Sequence, residues 1–125
     1  MAVPGLVAGL STALENYGTM TLEQVLAPSI RLASEGFPIS DTLAGLIDDS
    51  YELFLNDMEL YDTYLDDGLP PLPGWVLKNP DLAETMRIIA REGADAFYKG
   101  SVADAIDAAS RESGGYITKE DLASY

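Results

Sequence analysis

The chain has 125 residues, enough for one core that buries roughly two-thirds of the unfolded surface, and 47% of them are apolar, which excludes disorder by composition. Seven Lys and Arg against twenty-one Asp and Glu leave a net charge of −14, which repels a nucleic-acid backbone and an anionic membrane face. Cysteine and histidine are absent, so disulfides, thiolate or imidazole metal sites and every His-dependent triad are excluded.

The first predicted helix lies in AVPGLVAGLSTALENYG, with Pro4 near its first turn and Gly18 as its stop. Leu6, Val7, Leu10, Ala13 and Leu14 recur at helical spacing and are the expected buried stripe. Gly5 and Gly9, four apart, permit close approach by a neighbour. Thr21 with Gln24 is a capping box for a second helix, buried through Leu22, Val25, Leu26, Ile30 and Ala33. Pro28 cannot donate to the carbonyl of Gln24 and should kink that helix. Gly36 ends it, and Phe37-Pro38 forces an extended turn.

A third helix is expected after Ser40, with Leu43, Leu46, Ile47, Tyr51 and Phe54 on one face and Leu55, Met58, Leu60, Tyr61 and Tyr64 continuing it less regularly. Asp67-Gly68 breaks it or its successor. Four prolines and a glycine make LPPLPGWVLKNP a loop, with Trp75, Val76 and Leu77 read as an anchor under it in preference to a strand. Asn79-Pro80 opens a fourth helix with Leu82, Met86, Ile89 and Ala90 inward. Gly93 closes it, ADAFYKG adds a short helical turn, and Ser101 is the expected cap of a fifth helix carrying Val102, Ala105, Ile106 and Ala109. After Gly114-Gly115, Thr118 and Asp121 start one more helix close to Tyr125. The expectation is all-α: one domain, residues 1–125, with about five helices and a Pro-rich loop.

The residues alone point to no reaction. Nine acids (Asp41, Asp48, Asp49, Glu52, Asp57, Glu59, Asp62, Asp66 and Asp67) fall where no Lys or Arg occurs between Arg31 and Lys78. An EF-hand register counted from Gly68 puts Thr63, Leu65 and Asp67 at the first ligand positions and Gly74 at the twelfth, which fails. A solvated acidic face is the better account. Tyr51, Tyr61 and Tyr64 read as core packing rather than as a ligand platform, and Lys99 as a surface lysine. No Gly-rich phosphate loop occurs.

Four stretches together resemble one family, the γ-glutamyltranspeptidases: AVPGLVAGL from Ala2 to Leu10, YGTMTLEQVLAPSIRLASEGFPIS from Tyr17 to Ser40, NPDLAETMRIIAREGADAFYKGSVADAI from Asn79 to Ile106, and GGYITKEDLASY from Gly114 to Tyr125. They stand in the family's order and at about its spacing, with the weakest likeness from Asp41 to Lys78. The resemblance implies an internal, mostly helical part of the large subunit, mounted on an αββα N-terminal-nucleophile hydrolase core and cut at both ends. It further implies an enzyme that cleaves γ-glutamyl amides such as glutathione and passes the acyl group to water or an amine. The family's nucleophile is a threonine leading the small subunit, its own α-amine serving as base.

None of Thr12, Thr19, Thr21, Thr42, Thr63, Thr85 and Thr118 lies in a motif like that processing site, and the family's substrate-gripping arginine lies upstream of the VPG motif. No catalytic, substrate-binding or metal residue is therefore carried over, and no cofactor is implied. What carries over is structural: Pro4-Gly5, Pro28, Gly36-Phe37-Pro38 and Asn79-Pro80. The implied partners are the rest of the large subunit and the small subunit, with self-association through exposed helix faces opposed by the −14 charge. Two other readings stand beside this one: an acylase or polyglutamate-cleaving relative, and a freestanding acidic helical module that binds a protein or calcium.

Overall fold

A computed structural model describes residues 3–125; Met1 and Ala2, the latter opening the first family-like stretch, lie outside it. The all-α expectation holds: nine helical segments and one two-stranded ribbon are formed among the described residues. They comprise α1 (Leu6–Tyr17), α2 (Leu22–Glu35), β1 (Phe37–Pro38), α3 (Asp41–Asp49), α4 (Tyr51–Phe54), α5 (Met58–Tyr64), β2 (Val76–Leu77), α6 (Pro80–Glu92), α7 (Ala94–Tyr98), α8 (Ser101–Glu112) and α9 (Lys119–Ala123). None of these helices is long and apolar enough to cross a membrane.

The chain divides into two compact units, one from Met1–Pro28 with Glu84–Tyr125 and one from Ser29–Ala83. The first gathers Tyr98, Ala103 and Leu122, with Val7, Ala8, Phe97, Ile106 and Ile117 packed around them. α1 faces this core through Val7 and Ala8, its Ser11 is buried and its Leu14 half-buried, while Leu6 and Leu10 are 72% and 60% exposed. The expected stripe was thus rotated by a fraction of a turn. Leu6, Leu10, Ala13 and Tyr17 form a separate, outward apolar row. Gly5 does permit a close approach, since the Tyr125 hydroxyl lies where its Cβ would stand; Gly9 has no such neighbour.

The second unit packs Ile39, Ala44, Ile47, Leu65 and Leu77, with Tyr51, Phe54, Tyr61, Tyr64 and Trp75 around them. Phe54 and Tyr64 stack at 5.5 Å, and the Tyr51 hydroxyl donates to the Gly68 carbonyl at 2.9 Å, so these tyrosines are indeed packing residues. The anchor reading of Trp75–Leu77 is corrected. Val76–Leu77 pairs antiparallel with Phe37–Pro38 in the register Phe37↔Leu77 and Pro38↔Val76. Of the two forms left open after Ser40, one helix or a helix with a successor, the structure has successive helices, α3, α4 and α5. Ser40 caps α3 as expected, accepting from the Leu43 amide at 3.2 Å. That helix ends at Asp49, and α5 has its own start, where the Asp57 carboxylate accepts from the amides of Glu59 and Leu60.

Other ends follow local chemistry. Thr21 and Gln24 exchange backbone-to-side-chain bonds at 2.8 and 3.2 Å, and Asn79 accepts from Leu82 at 2.8 Å ahead of Pro80. Both caps were legible three residues apart. α2 runs unbroken through Pro28. Ser101 is the first residue of α8, not its cap; Gly100 occupies the cap position without a side-chain bond.

Candidate functional site

The Tyr98 hydroxyl bonds residues far from it in sequence within the first unit. It donates to the Pro4 carbonyl at 2.7 Å and accepts from the Ala8 amide at 3.1 Å. α1 has no side-chain cap at Gly5, so a phenol from a helix some ninety residues away supplies its missing partner. The Tyr98 ring is 6% exposed. It stacks on Tyr125 at 5.6 Å and meets the edge of Phe97 at 4.9 Å. A hydroxyl so engaged in both directions is a structural tie.

Beside this tie lies an open depression of about 250 Å³, bordered by Ser11, Glu15, Asp95, Tyr98, Lys99 and Tyr125. Lys99 pairs with Asp95 at 2.9 Å on the surface, one helical turn away, which agrees with its reading as a surface lysine. An exposed pair of this kind contributes at most about 1 kcal/mol.

Among the described residues, Thr118 and Asp121 form the one hydroxyl–carboxylate couple that resembles nucleophile and base. Its geometry is that of a helix start: Thr118 Oγ donates to Asp121 Oδ2 at 2.8 Å, the Thr118 amide donates to the same oxygen at 3.0 Å, and the Asp121 amide returns to Thr118 Oγ at 3.2 Å. The Thr118 hydroxyl, and then its amide, hold the Asp121 carboxyl below its ordinary value of 3.8. A depressed carboxyl contributes stability that is complete above its unfolded pKa and is lost as pH falls through the folded one. Asp121→Asn should therefore be less stable than the parent at neutral pH, with the gap closing only below 3.8. Urea unfolding at stepped pH measures this, and a gap that is constant down to the lowest pH would contradict it.

The acids from Asp41 to Asp67 are dispersed over three helices and a turn. Among the described residues no group of three or more converges as a metal cage would require. Sequence reasoning found the Thr118 start but missed the Tyr98 tie, for which no local signal exists: its partners are 94 and 90 residues away.

These features define a class first: a strongly acidic helical chain in which Tyr98, Thr118 and Asp121 close helix starts. The family profile described as Gamma-glutamyltranspeptidase matches residues 1–125. The glutathione hydrolase proenzyme of Bacillus subtilis is 40% identical over 125 residues, all of this chain and 21% of the relative. That of Escherichia coli is 42% identical over 123 residues, 98% of this chain and 21% of the relative. The crystal structure of Helicobacter pylori gamma-glutamyltranspeptidase superposes with a TM-score of 0.93 at 40% identity, covering 98% of this chain and 36% of that one. The chain belongs to the gamma-glutamyltranspeptidase family. It spans about a fifth of the length of these two curated relatives.

Proposed function

We propose that these residues are the helical large-subunit segment of an enzyme that transfers or hydrolyses γ-glutamyl groups, with glutathione as a substrate, and that the segment braces the catalytic parts without forming bonds itself. The observation that carries this reading is the superposition on a gamma-glutamyltranspeptidase over 98% of the chain. The internal use of its polar groups supports the second half. Tyr98 holds α1, while Thr118 and Asp121 open α9. The partners on this reading are the remainder of the large subunit and the small subunit.

Two arms test it with a chromogenic γ-glutamyl anilide. The 125-residue chain alone should give no turnover above buffer. A chimera of the Bacillus subtilis enzyme carrying these residues in place of its own matching segment should turn the anilide over. Turnover by the isolated chain would defeat the bracing role. A soluble, processed chimera that is inert would defeat the assignment to this chemistry.

A further inference from the structure

The turn that follows α5 holds two groups able to react with one another. The Asp66 amide donates to the Leu69 carbonyl at 2.9 Å, and the Leu69 amide donates back to the Asp66 carbonyl at 3.0 Å. Asp67 and Gly68 lie between them at φ +49° and +80°. Positive φ at both central residues is the pattern of a type I′ hairpin, for which Asp-Gly is a favoured pair. Asp67 is the one non-glycine residue with positive φ among the described residues. Gly68 has no room for a side chain, because the Tyr61 hydroxyl occupies the place of its Cβ.

The reactive pair is the Asp67 carboxyl and the Gly68 amide nitrogen. One backbone carbonyl joins them, so attack of the nitrogen on Asp67 Cγ closes a succinimide ring. Without a Cβ on Gly68 the nitrogen is unhindered. Neither group is engaged elsewhere among the described residues. The Gly68 amide donates to no carbonyl, and the exposed Asp67 carboxylate joins none of the ion pairs. The chain contains Asp-Gly once and Asn-Gly nowhere.

We propose that Asp67-Gly68 is a site of spontaneous covalent modification, where the backbone passes through a succinimide to an isoaspartyl linkage. In the first step the bond from the Gly68 nitrogen to Cγ forms as the carbon–hydroxyl bond of protonated Asp67 breaks. The hydroxyl leaves with the amide hydrogen as water. In the second step water adds to the main-chain carbonyl of the ring, and the bond from that carbon to the Gly68 nitrogen breaks. The nitrogen recovers its hydrogen, the main-chain carbon becomes a free carboxyl, and the peptide runs through Cβ and Cγ. Opening at Cγ instead restores aspartate. Nothing is oxidised or reduced, and the reaction needs neither a partner nor γ-glutamyl chemistry.

The product carries one more methylene in its backbone. A two-residue loop has no slack for it, so the reciprocal Asp66–Leu69 bonds are given up. The Tyr51 hydroxyl, which donates to the Gly68 carbonyl at 2.9 Å, loses its partner with them. Isomerisation therefore unties the start of α4 from the turn.

The test holds the folded 125-residue chain in mildly acidic buffer at physiological temperature and then digests it with trypsin. Leu32–Lys78 is released as one peptide, since no Lys or Arg lies within it before Lys78. A succinimide weighs one water less, and electron-transfer fragmentation locates isoaspartate, which is expected at residue 67 ahead of every other aspartate. Asp67→Asn, which loses ammonia in place of water, should isomerise about tenfold faster through the same ring. Asp67→Glu should give no isomer at residue 67. Isomerised chains, separated by chromatography, should unfold about 0.5 M earlier in urea than unmodified ones.

Isoaspartate spread evenly over the aspartates of the peptide would overturn the proposal, as would isoaspartate that forms in urea but not in the folded chain, or none at all. So would equal rates for Asp67→Asn and the parent, or an unchanged urea midpoint. None of these outcomes alters anilide turnover by the chimera, so the two readings fail separately.

Discussion

Leu122→Ala is expected to lower the unfolding free energy of the chain by about 3 kcal/mol, as truncation of a fully enclosed leucine does. Leu122 is 0% exposed and packs with Tyr98 and Ala103 at the centre of the first core. α9 has only five residues and buries no other side chain. A helix that short has no stability of its own in water. The capping box sets where it starts, and Leu122 is what holds it to the rest. Urea unfolding followed by circular dichroism should show the midpoint displaced by about 1–2 M, given the slopes usual for small domains. Leu122→Ile keeps the volume and should lose less than about 1.5 kcal/mol. Equal effects of the two substitutions would mean that burial of Leu122 is not what fastens α9.

Gly36→Ala should cost a comparable amount, about 3 kcal/mol, for two reasons that add. Gly36 sits at φ +89°, a region that L side chains rarely adopt. A Cβ built there would also stand 2.6 Å from Val76 Cγ1, 2.7 Å from Lys78 Cγ and 2.9 Å from the Leu77 carbonyl oxygen. The residue ends α2, its amide donating to Leu32 at 2.9 Å, and leads directly into β1. The strain therefore falls on the two-residue ribbon. Gly74→Ala is the internal control: φ is +92° there, but nothing lies within 4 Å of the added carbon. It should show the left-handed cost alone, about 1–2 kcal/mol. If both substitutions cost the same, crowding against β2 contributes nothing.

Three helix starts could be read from the chain because each is a conversation between residues three apart. Thr21 with Gln24, Asn79 with Leu82, and Thr118 with Asp121 need no tertiary information. The orientation of α1 was not readable in the same way. Its sequence offers two adjoining rows, Leu6-Leu10-Ala13-Tyr17 and Val7-Ser11-Leu14, and the more apolar one points outward. A serine is buried instead because the Tyr98 phenol bonds the Ala8 amide and the Pro4 carbonyl, which fixes how the start of α1 is held. The breaks in the acidic stretch were hidden for another reason. Asp57 acts as a cap, yet among nine acids it reads as one more solvated charge. Strands of two residues are too short to show alternation, so β1 and β2 left no pattern to find. The candidate site was legible to the same degree: the Thr118–Asp121 couple is local, whereas the tyrosine tie spans most of the chain.

That tie has a consequence for synthesis. α1 leaves the ribosome before α7 does, and the phenol that completes its N-terminus is encoded 90 residues after Ala8. At typical elongation rates of about 5–20 residues per second, α1 waits roughly 5–20 s with its opening amide and carbonyl facing water. The intervening segment, Ser29–Ala83, has all its own contacts available in that interval. Nascent chains should thus acquire protease resistance in Ser29–Ala83 before they acquire it in α1.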